Sequence, residues 1–168
     1  MKNGLAASLV IRPGRECDLD EVVRIWREVW RESYAGYFDS AIDDTPWMDA
    51  VWHEFLPVMR DFVIAEMDGH VVGFTHREAA LVEDLWVDPE FCSQGIGPLL
   101  LERQLRAIAA EGYRTATLFC LEVNSRARRF YEREGWRPTL RQMRESPDGR
   151  PPFWLMRYEY DLDRLDHR

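Results

Sequence analysis

The sequence predicts a single α/β domain spanning residues 1–168, with a mixed, mostly antiparallel sheet of about seven strands and four helices on both faces. The composition fits one globular core, since 46% of the 168 residues are hydrophobic and 31% are charged. Segments with apolar residues at helical spacing alternate with short β-prone runs, and no repeat or long linker divides them. The predicted order of elements is β-α-α-β-β-β-α-β-α-β-β.

The N-terminal part predicts one strand followed by two helices. Ser8–Arg12 is β-prone. Asp18 and Glu21 form a capping-box signal at the start of the first helix. Thr45-Pro46 marks the start of the second helix, which ends before Pro57. The apolar residues at helical spacing in the first helix are Leu19, Val22, Val23, Trp26, Val29 and Trp30.

The middle of the chain has the pattern of three strands. Asp61–Met67 and His70–His76 are β-prone runs joined by Asp68-Gly69, a two-residue hairpin signal. Leu81–Val87 is a third run and ends at Asp88-Pro89.

The remainder predicts two helices and three strands. The helices are Pro98–Glu111 and Ser125–Glu134, each followed by a glycine that suits a helix C-terminus. The strands are Thr115–Leu121, Trp136–Arg144 and Pro152–Tyr160.

Charge and composition exclude several classes of partner and chemistry. With 22 basic and 30 acidic residues the net charge is -8, which disfavours nucleic acid and anionic membranes and suits a cationic substrate. We expect a cytoplasmic protein, because no signal-peptide or membrane-spanning run is present. Lys2 is the only lysine, so Schiff-base chemistry is excluded.

No metal site is expected. Cys17, Cys92 and Cys120 are isolated in the sequence, without a Cys-x-x-Cys pair. His70 and His76 share a strand face but would lie about 20 Å apart, too far to bind one ion.

The strongest local motif is Leu85-Trp86-Val87-Asp88-Pro89, followed after a short loop by Gly95-Ile96-Gly97 at the start of a helix. Small residues at a helix start let a phosphate approach backbone N–H groups, where the helix dipole also favours it. A dinucleotide-binding fingerprint does not fit, because its third glycine position is Leu100 and a loop separates strand from turn.

A second motif begins at Asn124, which can cap the next helix, and continues through Phe130-Tyr131 to Gly135-Trp136. Taken alone, the aromatic residues at helical spacing are typical of core packing. In combination with the first motif, the same aromatic residues are also compatible with a role in a functional site.

Together, in this order and spacing, the two segments resemble the GCN5-related N-acetyltransferase (GNAT) superfamily. The resemblance is specific at Leu85–Leu101 and Asn124–Trp136 and topological elsewhere between Ser8 and Leu162. It implies acetyl-CoA as co-substrate and an N-acetyltransferase acting on a small-molecule or peptide amine. The residues that it assigns to the cofactor are Leu85, Trp86, Val87, Cys92, Ser93, Gln94, Gly95, Ile96, Gly97, Pro98, Asn124 and Tyr131.

The resemblance also assigns contacts within that set. The backbone of Leu85–Val87 would pair with the pantetheine arm, and the N–H groups of Gln94–Gly97 would hold the pyrophosphate. Asn124 would hydrogen-bond the arm, and the Tyr131 hydroxyl would approach the sulfur.

Two residues depart from the family pattern. Cys92 stands where Gln or Arg is usual, and Pro98 has no N–H to offer a phosphate. These departures keep a second hypothesis open, in which the chain is a non-catalytic module that binds acyl-CoA. A homodimer is compatible with either reading.

The chemistry needs an acid for the leaving thiolate and a base for the amine. We expect Tyr131 as the general acid and Glu83 as the base, acting through a water. Period-two alternation puts Glu83 on the face of Leu85 and Asp84 on the opposite face. The Val87 N–H is the candidate oxyanion donor.

Several alternatives accompany these assignments. The equal alternative for Glu83 is a strand carboxylate paired with an arginine, and His53 and His76 are other candidate bases. Cys92 or Cys120 as a nucleophile is disfavoured. The acceptor pocket is expected from the connection of the first two helices, Tyr34–Trp47, whose aromatic residues could instead pack on the sheet.

Overall fold

The computed structural model describes residues 8–34, 45–145 and 152–167. Within these ranges it contains one seven-stranded sheet and four α-helices, which confirms the predicted fold class. The strands are β1 (Leu9–Pro13), β2 (Val63–Met67), β3 (His70–Glu78), β4 (Leu81–Val87), β5 (Thr115–Leu121), β6 (Arg137–Arg144) and β7 (Phe153–Asp161). The helices are α1 (Leu19–Tyr34), α2 (Thr45–Phe55), α3 (Ile96–Ala110) and α4 (Ser125–Arg133).

The sheet has the spatial order β1-β2-β3-β4-β5-β7-β6. All neighbouring strands are antiparallel except β4 and β5, which run parallel at the centre. The connection between them contains α3, as a parallel crossover requires. The predicted β2–β3 hairpin turns at Asp68 and Gly69, both with positive φ (51° and 84°). This is the backbone that a two-residue hairpin favours.

The helices cover the two faces of the sheet with separate apolar clusters. One face buries Val22, Trp26, Phe55 and Phe74 of α1, α2 and β3. The opposite face is covered by α3 and α4. The buried residues of its two clusters are Ala65, Val72, Val82, Ile96, Leu100, Leu101, Leu105, Ile108, Ala116, Leu118, Cys120, Trp136, Tyr158, Tyr160, Leu162 and Leu165. No helix in the described ranges is long and apolar enough to cross a membrane.

The predicted capping box of Asp18 and Glu21 is wrong. The Asp18 carboxylate accepts from the Arg15 N–H at 2.8 Å and from both terminal nitrogens of the Arg12 guanidinium at 2.7 and 2.8 Å. The Glu21 carboxylate accepts from the Val71 N–H of β3 at 2.9 Å. Asp18 therefore caps the short turn before α1 and binds Arg12 of β1. Glu21 is drawn away from the predicted cap by a partner on β3, 50 positions along the chain.

Candidate active site

The centre of the sheet opens where β4 and β5 diverge. These two strands pair only at Leu81↔Thr117 and Val82↔Leu118. Beyond this point β4 continues along β3, and β5 continues along β7 as far as Leu121. Among the described residues, the backbone of the C-terminal half of β4 therefore has no strand on its β5 side. This opening is the expected place for an extended ligand that replaces a strand.

Only alternate residues of β4 present their backbone to this opening. The Asp88 N–H donates to Val72 O at 3.0 Å, so it points toward β3. Because backbone polar groups alternate between the two edges of a strand, Trp86 also pairs with β3, while Leu85 and Val87 point toward the opening. The expectation that Trp86 offers its backbone to the cofactor is therefore not supported by this geometry.

The loop before α3 has the backbone of an anion-binding turn. Ser93 and Gly95 both have positive φ (66° and 83°), and Gly95 is the N-cap of α3. Ser93, Gln94 and Gly95 are exposed, and a Cβ built on Gly95 would have no atom within 4 Å. Open space therefore lies beside the start of α3, whose first N–H groups have no partner within the helix and where the helix dipole favours an anion.

The two departures from the family pattern lie on either side of this turn. The Cys92 thiol lies 3.9 Å from Val87 O, so it is directed back to β4. Pro98 lies in the first turn of α3, where its missing N–H breaks no helical hydrogen bond. Asp88 accepts from the Glu90 N–H at 3.0 Å and from the Arg24 guanidinium at 2.8 Å, which joins α1 to this loop.

Asn124 caps α4, as predicted. Its Oδ1 accepts from the Ala127 N–H at 3.0 Å, and its Nδ2 donates to the Tyr34 hydroxyl at 3.1 Å. One Nδ2 hydrogen remains for a ligand. The cap and the contact to α1 fix the side chain at the C-terminal end of β5.

Tyr131 of α4 packs against the apolar cluster that contains Val82 of β4 and Cys120 of β5. Its ring packs against Trp136 and Tyr158, at centroid distances of 6.2 and 6.0 Å, so the core-packing interpretation is correct for the ring. Its hydroxyl makes no hydrogen bond with any residue of the described ranges. Burial, together with nearby Cys120 and Asp84, raises the pKa of Tyr131 above its usual value. Tyr131 is therefore protonated at neutral pH and has an available O–H donor.

Cys120 does not suit a nucleophilic role. Its side chain is buried on β5, and its thiol lies 3.5 Å from Leu121 O. Burial raises the pKa of Cys120 to about 12. The reactive thiolate is therefore disfavoured at neutral pH.

A β-bulge overturns the predicted facing of Glu83. His76 pairs with Asp84 and Arg77 pairs with Val82, so Glu83 is the extra residue on β4. Accordingly Val82 and Leu85, three residues apart, pack against the same core cluster. The predicted period-two alternation fails at this point. Glu83 is exposed and does not share the face of Leu85 through a regular strand.

Asp84 lies on the face of Trp86, opposite to Leu85, as predicted, yet it is close enough to Tyr131 to contribute to the raised pKa of that phenol. Asp84 Oδ1 accepts from the Trp86 indole N–H at 2.8 Å, and Oδ2 lies 3.9 Å from His76 Nδ1. Burial raises the pKa of Asp84 to about 6, with Glu83 and Glu54 adding to the effect. Partial desolvation by neighbouring atoms raises the pKa of Glu83 as well, and the carboxylates of Glu78 and Glu54 add to the effect. No local sequence signal marks a bulge here.

The expected acceptor region lies only partly within the described residues. Trp26 is buried in the core, as predicted, and Tyr34 is buried against Asn124. Residues 35–44 and the side chain of Trp47 lie outside the described residues.

Comparisons with known proteins agree with this geometry. An acetyltransferase (GNAT) domain model matches residues 59–138. An uncharacterized N-acetyltransferase from Archaeoglobus fulgidus is 33% identical over 133 residues, which cover 72% of this chain and 88% of that protein.

Solved structures share the fold. The apo form of YjaB from Escherichia coli superimposes with a TM-score of 0.74 and 25% identity, covering 91% of this chain and 97% of that one. The PaiA N-acetyltransferase from Thermoplasma acidophilum, solved with coenzyme A, gives 0.71 and 24%, covering 91% and 99%. The chain therefore belongs to the GNAT family of acetyltransferases and is an acyl-CoA-dependent acetyltransferase.

Proposed function

We propose that the protein transfers an acetyl group from acetyl-CoA to a primary amine by direct attack within a ternary complex. Acetyl-CoA is the co-substrate of the family, and a coenzyme A molecule is present in the PaiA structure. The observation that carries the proposal is the separation of β4 from β5 after Val82, with the unpaired hydroxyl of Tyr131 at the opening.

The cofactor would lie along β4 and reach the N-terminus of α3. The N–H and C=O groups of Leu85 and Val87 would pair with the pantetheine amides. The N–H groups of Gln94–Gly97 would hold the pyrophosphate. The remaining Nδ2 hydrogen of Asn124 could donate to the arm. Cys92, Ser93 and Pro98 complete the loop. The Cys92 thiol is directed to Val87 O rather than to the proposed position of the phosphates.

The acceptor is proposed to be a cation before it reacts. An amine with a pKa of about 10 is protonated at neutral pH. Glu54, Glu78 and Glu83 carry no ion pair with any residue of the described ranges, so their charges are available to a cation. On α1, Trp30 lies between Trp26 and Tyr34 at ring distances of 6.3 and 4.8 Å, and aromatic faces also attract cations.

The reaction requires no covalent enzyme intermediate. After a base removes one proton from the ammonium, the amine attacks the thioester carbonyl, and the Val87 N–H would stabilise the oxyanion. As the C–S bond breaks, Tyr131 gives its proton to the thiolate. Burial raises the pKa of the phenol, but the same surroundings raise the proton affinity of the departing thiolate. Glu83, acting through a water, is one candidate for the base.

Thiol release from acetyl-CoA tests the proposal. The acceptors would be spermidine, L-lysine, phenethylamine, an aminoglycoside and a peptide with a free N-terminus. We expect release that depends on both substrates with at least one of these amines. Binding of acetyl-CoA without release across the whole panel would instead indicate a non-catalytic binding module.

Two matched variants test the role of Tyr131. Tyr131→Phe should lower kcat by about 100-fold, at the lower end of general acid–base contributions, while coenzyme A binding persists. Tyr158→Phe is the control, because its hydroxyl donates to Glu132 at 2.9 Å and accepts from Arg128 at 3.3 Å. It should lower thermal stability and leave kcat unchanged. Unchanged turnover in Tyr131→Phe would exclude the phenol as the acid.

A further inference from the structure

The carboxylate of Asp84 is held in one orientation at the opening. Its Oδ1 accepts from the Trp86 indole N–H at 2.8 Å, and its main-chain oxygen accepts from the Thr75 hydroxyl at 2.7 Å. The Trp86 ring in turn packs against Trp26 of α1, with ring centroids 6.2 Å apart. Because its own side chain retains 16% exposure, Asp84 is fixed without being sealed from a ligand.

The second carboxylate oxygen of Asp84 faces the partly exposed imidazole of His76. His76 Nδ1 lies 3.9 Å from Asp84 Oδ2, and the imidazole ring stacks on Phe62 at 4.7 Å. A carboxylate offers about four acceptor positions, so the indole and the imidazole leave room for an ammonium group. Burial lowers the pKa of His76, which keeps the imidazole neutral and able to accept a proton.

Glu83 lacks these fixed contacts. It is the extra residue of the bulge, its side chain is exposed, and it makes no hydrogen bond within the described ranges. An exposed carboxylate with free rotamers must be ordered each time that it acts, whereas Asp84 is already oriented.

We propose that Asp84, rather than Glu83, is the base that takes the proton from the acceptor ammonium, and that His76 carries this proton toward solvent. The inference rests on the proposed function and names a catalytic residue for it. Asp84 would touch the reacting nitrogen, whereas His76 and Trp86 act through Asp84 as positioning residues.

The protons balance over the whole reaction. The nitrogen starts with three hydrogens as an ammonium and ends with one as an amide. The first proton passes to Asp84 and through His76 to solvent. The second leaves the nitrogen as the amide forms and replaces the proton that Tyr131 has given to the thiolate. The products are the acetylated amine, free coenzyme A thiol and one proton.

The electrostatic surroundings support a base that acts near neutral pH. Burial raises the pKa of Asp84 to about 6, closer to the operating pH than an ordinary aspartate. The titratable groups that face the pair are Glu54 of α2, Asp61 of the 56–61 turn, His76, Arg77 and Glu78 of β3, Glu83 of β4 and Tyr131 of α4.

The pH dependence of kcat/KM for the fastest amine of the panel tests the inference. In the wild-type enzyme we expect it to rise through an apparent pKa of about 6 and to fall above the pKa of the amine. Asp84→Asn should lose the rise at low pH and about 100-fold in kcat/KM near pH 7.5. Glu83→Gln, which removes the rival candidate base, should keep the rise at low pH. Glu102→Gln is the control and should match the wild type in profile and rate, because this exposed carboxylate of α3 pairs with Arg106 of the same helix at 2.7 Å. His76→Gln should lower kcat and recover part of it on addition of imidazole.

A binding measurement and three further results complete the test of Asp84 as the base. Calorimetric binding of coenzyme A by Asp84→Asn must match the wild type, which separates a chemical defect from misfolding. If Asp84→Asn does not fold, a wild-type profile without a rise near pH 6 overturns the inference by itself. An Asp84→Asn variant with the wild-type profile, or a Glu83→Gln variant that loses the low-pH rise, also overturns it. No turnover in the wild-type protein overturns the proposed function and this inference together.

Discussion

The substitution Gly95→Ala should lower both the stability of the fold and the affinity for the pyrophosphate of coenzyme A, by two different mechanisms that can be measured separately. Gly95 has φ of 83°, a conformation that costs an L-residue about 1–2 kcal/mol. The new Cβ would meet no protein atom within 4 Å, so it would project into the space that the phosphates are proposed to occupy. The penalty to folding is therefore backbone strain, and the penalty to binding is steric.

The chain contains a matched control for this change. Gly69, in the β2–β3 turn, has φ of 84° and also has no atom within 4 Å of an added Cβ. Both Gly95→Ala and Gly69→Ala should lower the midpoint of thermal unfolding by about 2–8 °C, from the same strain in a chain of this size.

The two variants should differ in their affinity for coenzyme A. The added methyl group should push the phosphate out of reach of one N–H donor. Losing one hydrogen bond to a charged phosphate costs about 1.5–3 kcal/mol, which corresponds to a rise in Kd of about 10- to 150-fold for Gly95→Ala. Gly69→Ala should bind as the wild type does. Calorimetric titration of both variants at one temperature below unfolding measures this. Equal affinities would refute the assignment of the turn to the pyrophosphate.

Three further variants test the energetics of the fold. Asp84→Asn should raise the unfolding midpoint by a few degrees at pH 8, because the folded-state pKa is raised to about 6. This gain should shrink as the pH falls below 6 and vanish by about pH 3, below the unfolded-state pKa of about 4, where the aspartate is protonated in both states. Asp18→Asn should destabilise the protein at pH 7. Burial alone would raise the pKa of Asp18, but the Arg12 guanidinium lowers it below the usual value. The stabilisation from the Asp18 carboxylate is therefore present above the unfolded-state pKa of about 4 and is lost as the pH falls through the lower folded-state pKa. A loss of stability that is independent of pH would contradict that reasoning. Gly14→Ala should lower stability by about 3 kcal/mol or more by chemical denaturation, because its Cβ would fall 2.1 Å from Met59 O; a near-neutral result would show that the turn relaxes easily.

Local signals in the sequence located the elements well. The Asp68-Gly69 turn and the glycines after α3 and α4, Gly112 (φ 89°) and Gly135 (φ 93°), adopt the left-handed backbone for which glycine is preferred. The bounds of β4 and β5 match the prediction at both ends. These features depend on residues within a few positions of each other, so one sequence is sufficient to predict them.

Features that depend on distant partners were not predictable. The bulge at Glu83 arises from the register of β3 against β4, and it turns Glu83 away from the face of Leu85. The contact between Asn124 and Tyr34 joins residues 90 positions apart. The loss of the predicted capping box depends on Val71 of β3, whose N–H donates to Glu21 from 50 positions away. In each case tertiary structure provides a partner that periodicity cannot reveal.

The central claim is that the turn before α3 and the open edge of β4 hold two ends of one ligand. Backbone amide NMR shifts on titration with coenzyme A, and separately with pantetheine, test it most directly. Coenzyme A should shift the amides of Gln94–Gly97 together with those of Leu85 and Val87, whereas pantetheine, which lacks the diphosphate, should shift only the latter two. Saturating coenzyme A that leaves Gln94–Gly97 unshifted would contradict the account.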